Sequence, residues 1–244
     1  SISLNPELFA RIDSLYRSRD NLALSPQQAR LLATTREDFI RAGAQLEGDD
    51  RARFAEIRSE LAGLYTRFSQ NEQADREAWT MALSEEDIAE LPDYIVAAAA
   101  GAAADRGLEG HVVTLARSSV EPFLQSSPNR QQREAAWRAW TQRGDNGNEN
   151  DNKDTIREIL ALRLEQANLL GFETFAHYRT AGTMAGTPDA AMALMDQVWW
   201  PARERALEEA ADIEARIAAA GLDHELEPWD WRFYTEQVRA ERYS

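Results

Sequence analysis

The sequence predicts an all-α protein of long antiparallel helices with one small two-stranded β ribbon. Three observations carry that prediction. Apolar residues recur at three- and four-residue spacing over most of the 244 residues. Several of those runs open on a small polar residue followed by proline, a helix start signal. Only Trp79–Leu83 and His111–Leu115 read as strands.

Pro6, after Asn5, opens the first helix, with Leu8, Ile12 and Leu15 on one face. Ser25-Pro26 opens a second, carrying Ala29, Leu32, Phe39, Ala42 and Leu46. A long third helix follows Asp49, its stripe formed by Phe54, Ile57, Leu61, Leu64, Tyr65 and Phe68. The pattern then changes. His111–Leu115 is rich in β-branched residues and follows Gly110; Trp79–Leu83 is its best strand partner. Between them, Ser84-Glu85-Glu86-Asp87 resembles a capping box, and Tyr94–Ala104 is an alanine-rich helix despite Gly101.

Ser127-Pro128-Asn129 starts a helix holding Ala136, Trp137 and Trp140, which runs to Gly144. After the loop 145–150 comes a helix with Ile156, Ile159, Leu160, Leu164, Ala167 and Leu170, stopped by Gly171. A short helix holds Phe175, Ala176 and Tyr178. Thr187-Pro188-Asp189 caps a very long helix reaching about Ala220, with a kink expected at Pro201. Glu227-Pro228 begins the last helix. Its apolar pattern continues through Tyr243 almost to Ser244 with no stop signal, as expected of a longer chain that has been cut. The helices differ in length and the aromatics fall irregularly, which disfavours a repeat array.

Composition excludes several function classes. A net charge of −15 lacks the basic footprint that nucleic acid requires, and it repels anionic lipid, so neither nucleic acid nor membrane is expected as a partner. No apolar run reaches the ~20 residues of a membrane span, and Ser1–Pro6 does not resemble a signal peptide. Without cysteine there are no disulfides and no thiolate zinc ligands. That fits a reducing compartment, with the cytoplasm favoured and the periplasm open if a signal has been trimmed.

The residues that could carry chemistry are few. His111, His177 and His224 are the three histidines, and none stands four residues from another, so an H-E-x-x-H zinc site is excluded within this chain. The loop from Asp145 fails the calcium-loop pattern, since its third, sixth and twelfth positions are Gly147, Asn150 and Ile156. Its Asn and Asp side chains are instead expected to satisfy nearby backbone, with Gly147 at positive φ. There is no G-x-S-x-G and no glycine-rich phosphate loop. The cluster Trp229, Trp231, Phe233 and Tyr234 either lines a peptide groove or anchors the last helix. The four-residue spacing of Trp229 and Phe233 leans toward the anchor.

Certain segments occur together in one order: V-T-L at 113–115, P-F-L at 122–124, N-E-N-D-N at 148–152, L-L-G-F at 169–172, A-H-Y at 176–178, T-M-A-G-T-P at 183–188 and P-W-D-W-R-F-Y-T-E-Q-V-R at 228–239. Over essentially its whole length the chain resembles the thimet-oligopeptidase family of zinc metallopeptidases. The W-D-W form points toward the bacterial peptidyl-dipeptidase (dipeptidyl carboxypeptidase) branch. Gly186 stands where that family usually has Lys, so any substrate role of that Lys does not carry over.

The resemblance implies a neurolysin-like, mainly helical enzyme with a deep channel for short peptides. Its zinc is held by an H-E-x-x-H motif and a later Glu, which would lie beyond Ser244. Zinc is therefore expected in the parent protein and none in this chain, with no catalytic or metal residue here. The expected partners are short peptide substrates and the remaining catalytic lobe of the same polypeptide. Residues 1–143 are expected to form an N-terminal helical subdomain with the ribbon, and 152–244 a helical channel wall, with a hinge at 144–152. Trp229, Trp231 and Tyr234 are the substrate-channel candidates. A stand-alone helical scaffold or peptide-binding module is the alternative reading.

Overall fold

The structure, a computed structural model, describes Ile2 and residues 5–243. These residues form eleven α-helices, a short 3-10 turn at Arg19–Asn21 and a single two-stranded sheet. The expectation for the end of the chain at Ser244 lies outside the described residues. By contacts the chain divides into two compact units, each built from separated stretches. Unit one is 1–65 with 157–192, and unit two is 66–156 with 193–244. Residues 144–152 lie inside unit two.

In unit one, α1 (Pro6–Arg17) starts as its sequence dictates, with the Asn5 carboxamide oxygen accepting from the Glu7 and Leu8 N–H groups. Helix α2 (Pro26–Arg41) opens on a capping box in which Ser25 and Gln28 bond each other's backbone. The two helices are joined by stacked Phe9 and Phe39, and by Asp13, which accepts from Arg36 at 2.7 Å. Helix α3 (Gly48–Ala78) begins in this unit and packs Ile57, Leu61 and Leu64 on Ile159 of α8 (Lys153–Leu169). Gly171, at φ 80°, stops the chain after α8, because only glycine enters that region without strain. On α9 (Phe175–Thr180), the Tyr178 carbonyl accepts from Arg41 at 2.6 Å.

In unit two, β1 (Thr80–Leu83) pairs antiparallel with β2 (His111–Thr114), matching Met81 to Val113 and Ala82 to Val112. The expected ribbon is therefore present. Ser84 and Asp87 form the expected capping box at the start of α4 (Glu85–Ala89). Helix α5 (Asp93–Ala104) lies on β2.

One helix of this unit was not expected from the sequence. Helix α6 (Arg117–Ser126) carries Pro122 inside it, a residue that argues against helix because it removes one backbone bond. Val120, Phe123 and Leu124 of that helix are almost wholly buried against Val113, Ile95 and Ala136. Burying a Phe and a Leu stabilises by roughly 1.5–3 kcal/mol each, enough to override one lost bond. Helix α7 (Arg130–Thr141) supplies Ala136, Trp137 and Trp140 to the same core. Helix α10 (Pro188–Ala219) passes through Pro201 without a break, and its C-terminal end packs on α11 (Pro228–Tyr243).

Candidate functional site: a groove walled by helix α11

The start of α11 is fixed by charge. The Asp230 side chain is fully out of solvent and accepts from Arg130 through two nitrogens (2.8–3.1 Å) and from Arg133 at 2.8 Å. Arg133, itself buried, also donates to the carbonyls of Ser127 and Pro128. Burial by itself would push the Asp230 carboxyl up, but the hydrogen bonds from the two arginines outweigh burial and hold it below the usual range. Asp230 further accepts from the Glu227 N–H, which caps the helix.

This anchor sets the aromatic cluster. Trp229 is buried edge-on against Trp137, with Arg138 over its ring at 4.7 Å. Tyr234 is buried against Ile213 and Ile217, and burial pushes its phenol pKa up. Trp231, by contrast, lines a groove of about 830 Å³. Gln125 of α6, Ala210 and Glu214 of α10, and Leu226, Arg232 and Glu236 are among the other lining residues. Of the three candidates, only Trp231 lines the groove: Trp229, two residues before it, points elsewhere, and Tyr234 is taken up by the core with Ile213 and Ile217. The wall is mostly apolar; Arg232 is paired with Glu121 at 2.9 Å and Glu236 with Arg239 at 2.6 Å, and Glu214 and Glu227 supply an acidic bias.

A second polar assembly lies in the same unit. Asp75 of α3 accepts from the Gly144 N–H (2.8 Å) and from the side-chain amides of Asn146 (2.7 Å), Asn148 (3.1 Å) and Asn150 (2.9 Å). Asn152 donates to the Phe68 carbonyl and accepts from Asn71. Alternate Asn residues thus turn to one side, all held by α3. Burial pushes the Asp75 carboxyl up, and these four donors more than reverse that. These bonds pin the loop 144–152 to α3. The expectation that it satisfies nearby backbone holds for Asp151, which accepts from the Gly147 and Lys153 N–H groups. The main acceptor, however, comes from another helix.

His111 begins β2, His177 lies on α9 beside Thr174, and His224 is 3.3 Å from the Tyr234 hydroxyl. Among the described residues no three His, Asp or Glu side chains converge as a metal site requires. The described residues thus offer no fit for zinc. No described helix is long and apolar enough to cross a membrane.

Long helices carrying one small ribbon, with a pinned asparagine loop and the W-D-W helix start, define a mainly helical scaffold. The profile of Peptidase family M3 matches residues 123–244, and the chain belongs to that family. It is 35% identical to a dipeptidyl carboxypeptidase of Salmonella typhimurium over all of this chain and 36% of that protein. The dipeptidyl carboxypeptidase of Escherichia coli is 34% identical over the same shares. An oligopeptidase A of Salmonella typhimurium is 32% identical over 93% of this chain and 34% of its own length. The chain thus spans little more than a third of the length of these three relatives.

Proposed function

We propose that this chain is the non-catalytic helical portion of a zinc-dependent oligopeptidase of the peptidyl-dipeptidase kind, and that it walls the channel short peptides enter. The supporting observation is the groove beside α11, where the partly buried Trp231 lines the wall on a backbone fixed by Asp230. A partly buried indole in a groove wall offers an extended peptide an apolar face, and the acidic bias of the wall favours cationic side chains. Zinc and its ligands belong to another part of the polypeptide, and this chain binds none. Its contribution is shape: it limits which peptides reach the reacting atoms.

Two measurements test this. The purified 244-residue chain is expected to carry no stoichiometric zinc and to cleave no short peptide. Cleavage that persists through further purification and resists protease inhibitors would overturn the proposal. In the full-length polypeptide, Trp231→Ala is expected to raise KM by about five- to tenfold with kcat little changed, the signature of lost uniform binding.

A further inference from the structure

The apolar stripe of α10 changes state along its length. Met195 and Ile213 lie five turns apart at ~3.6 residues per turn, as do Trp199 and Ile217, so all four share one face. The C-terminal half of that face is covered: Ile213 and Ile217 are buried against Tyr234. The other half is open, with Met195 54% and Trp199 58% exposed, and Leu194 and Val198 each 63% exposed along the same edge. Single exposed apolar residues are ordinary, but four adjoining ones continuing a buried seam mark an interaction surface.

We propose that Leu194, Met195, Val198 and Trp199 form the docking surface for another portion of the same polypeptide. That portion is the length its relatives have and this chain does not span. The inference rests on the function proposed above. Three observations select this occupant. The open face continues a seam already used for packing within the chain. The relatives extend well beyond the matched part, of which this chain covers 36%. The patch exposes on the order of 500 Å² at ~200 Å² per large side chain, short of the ~800 Å² per partner of a stable two-chain interface. A tethered segment needs less area, because its effective concentration is high. A lipid surface fits poorly: Pro188–Trp200 contains no Lys or Arg and carries Asp189 and Asp196.

The chain has no cysteine, so a single introduced thiol reports on this face. Val198→Cys is labelled with a maleimide in the 244-residue chain and in the full-length polypeptide, with the labelled peptide located by mass spectrometry. Glu204→Cys, on the other side of α10, serves as the control. Rapid labelling at position 198 in the short chain, slowed at least about tenfold in the long one while the control is unchanged, is the expected result. Equal rates in both overturn the proposal, as does a gene that ends with this chain. Protection in the short chain that grows with its concentration also overturns it, in favour of a second copy. Peptide hydrolysis by the same full-length preparation keeps the two ideas apart: an active enzyme whose thiol at position 198 is unprotected removes the docking surface and leaves the function standing.

Discussion

Arg133 and Asp230 meet at 2.8 Å with both side chains almost wholly out of solvent. They join α7 to the first turn of α11, and so determine where Trp231 stands. A buried pair of this kind matters most when half of it is removed.

Asp230→Ala leaves Arg133 charged and buried, and is expected to cost about 3–5 kcal/mol. The double change Arg133→Met with Asp230→Leu should cost less than Asp230→Leu alone, because no buried charge is then stranded: Arg130 also loses Asp230, but its side chain is a third exposed and can turn to water. Urea denaturation of the three variants checks this. If the double variant is the least stable, the pair is a net source of stability.

The pinned loop makes a prediction about pH. Burial pushes the Asp75 carboxyl up, but four donors hold it below its ordinary value. Its contribution is therefore fully present above the unfolded pKa of ~3.9 and lost as pH falls through the folded value. Asp75→Asn is expected to cost roughly 2–3 kcal/mol at neutral pH and to flatten the acid limb of stability below ~pH 4. Limited proteolysis at neutral pH should then cut within 144–152 in the variant and spare the parent.

Gly144 stands at φ 72°, and a Cβ there would lie 2.7 Å from the Asn152 side-chain nitrogen. Gly144→Ala must adopt a left-handed backbone and displace the Asn152 bond to Phe68. The expected cost is about 2–3 kcal/mol, combining ~1–2 for the backbone with ~1 for the hydrogen bond. Gly147→Ala, with φ 64° but open space around its Cβ, should cost only the backbone part. Thermal midpoints of both variants measure the difference.

Arg53 offers a contrast to Arg133. It forms bonds to Glu165 at 2.6 and 2.8 Å and reaches Glu60 at 3.1 Å, yet its side chain is 36% exposed. Water screens such pairs and side-chain entropy opposes them. Arg53→Met is expected to leave the urea midpoint unchanged at about 0.15 M salt, in the range where surface charges are screened beyond ~8 Å. A marked loss would mean that the cluster acts as a cooperative network.

What could be read from the sequence was whatever depends on near neighbours. The Ser84–Asp87 and Ser25–Gln28 caps, the stop at Gly171 and the ribbon pairing all follow from local chemistry. Helix α6 was hidden because Pro122 argues locally against helix, and the burial that overrides it is tertiary. Asp75 was invisible for another reason. Among 42 acidic residues, nothing singles out the one that four distant donors will meet. Of the three aromatic candidates, spacing showed that Trp229 and Phe233 share a face. It did not show that Trp231 alone would line the groove, because the groove exists only once α6, α10 and α11 are assembled.

The asparagine loop also holds the chain's one Asn-Gly pair in a hydrogen-bonded arrangement. Asn146-Gly147 is the dipeptide most prone to spontaneous deamidation, in which the glycine nitrogen attacks the asparagine carboxamide and ammonia leaves. Here the Asn146 amide is committed to Asp75, and the Gly147 N–H to Asp151. Cyclisation must wait for both to let go, and the product would set a second carboxylate beside Asp75. Isoaspartate at position 146 is therefore expected to form only as fast as the loop opens, which peptide mapping after prolonged incubation measures.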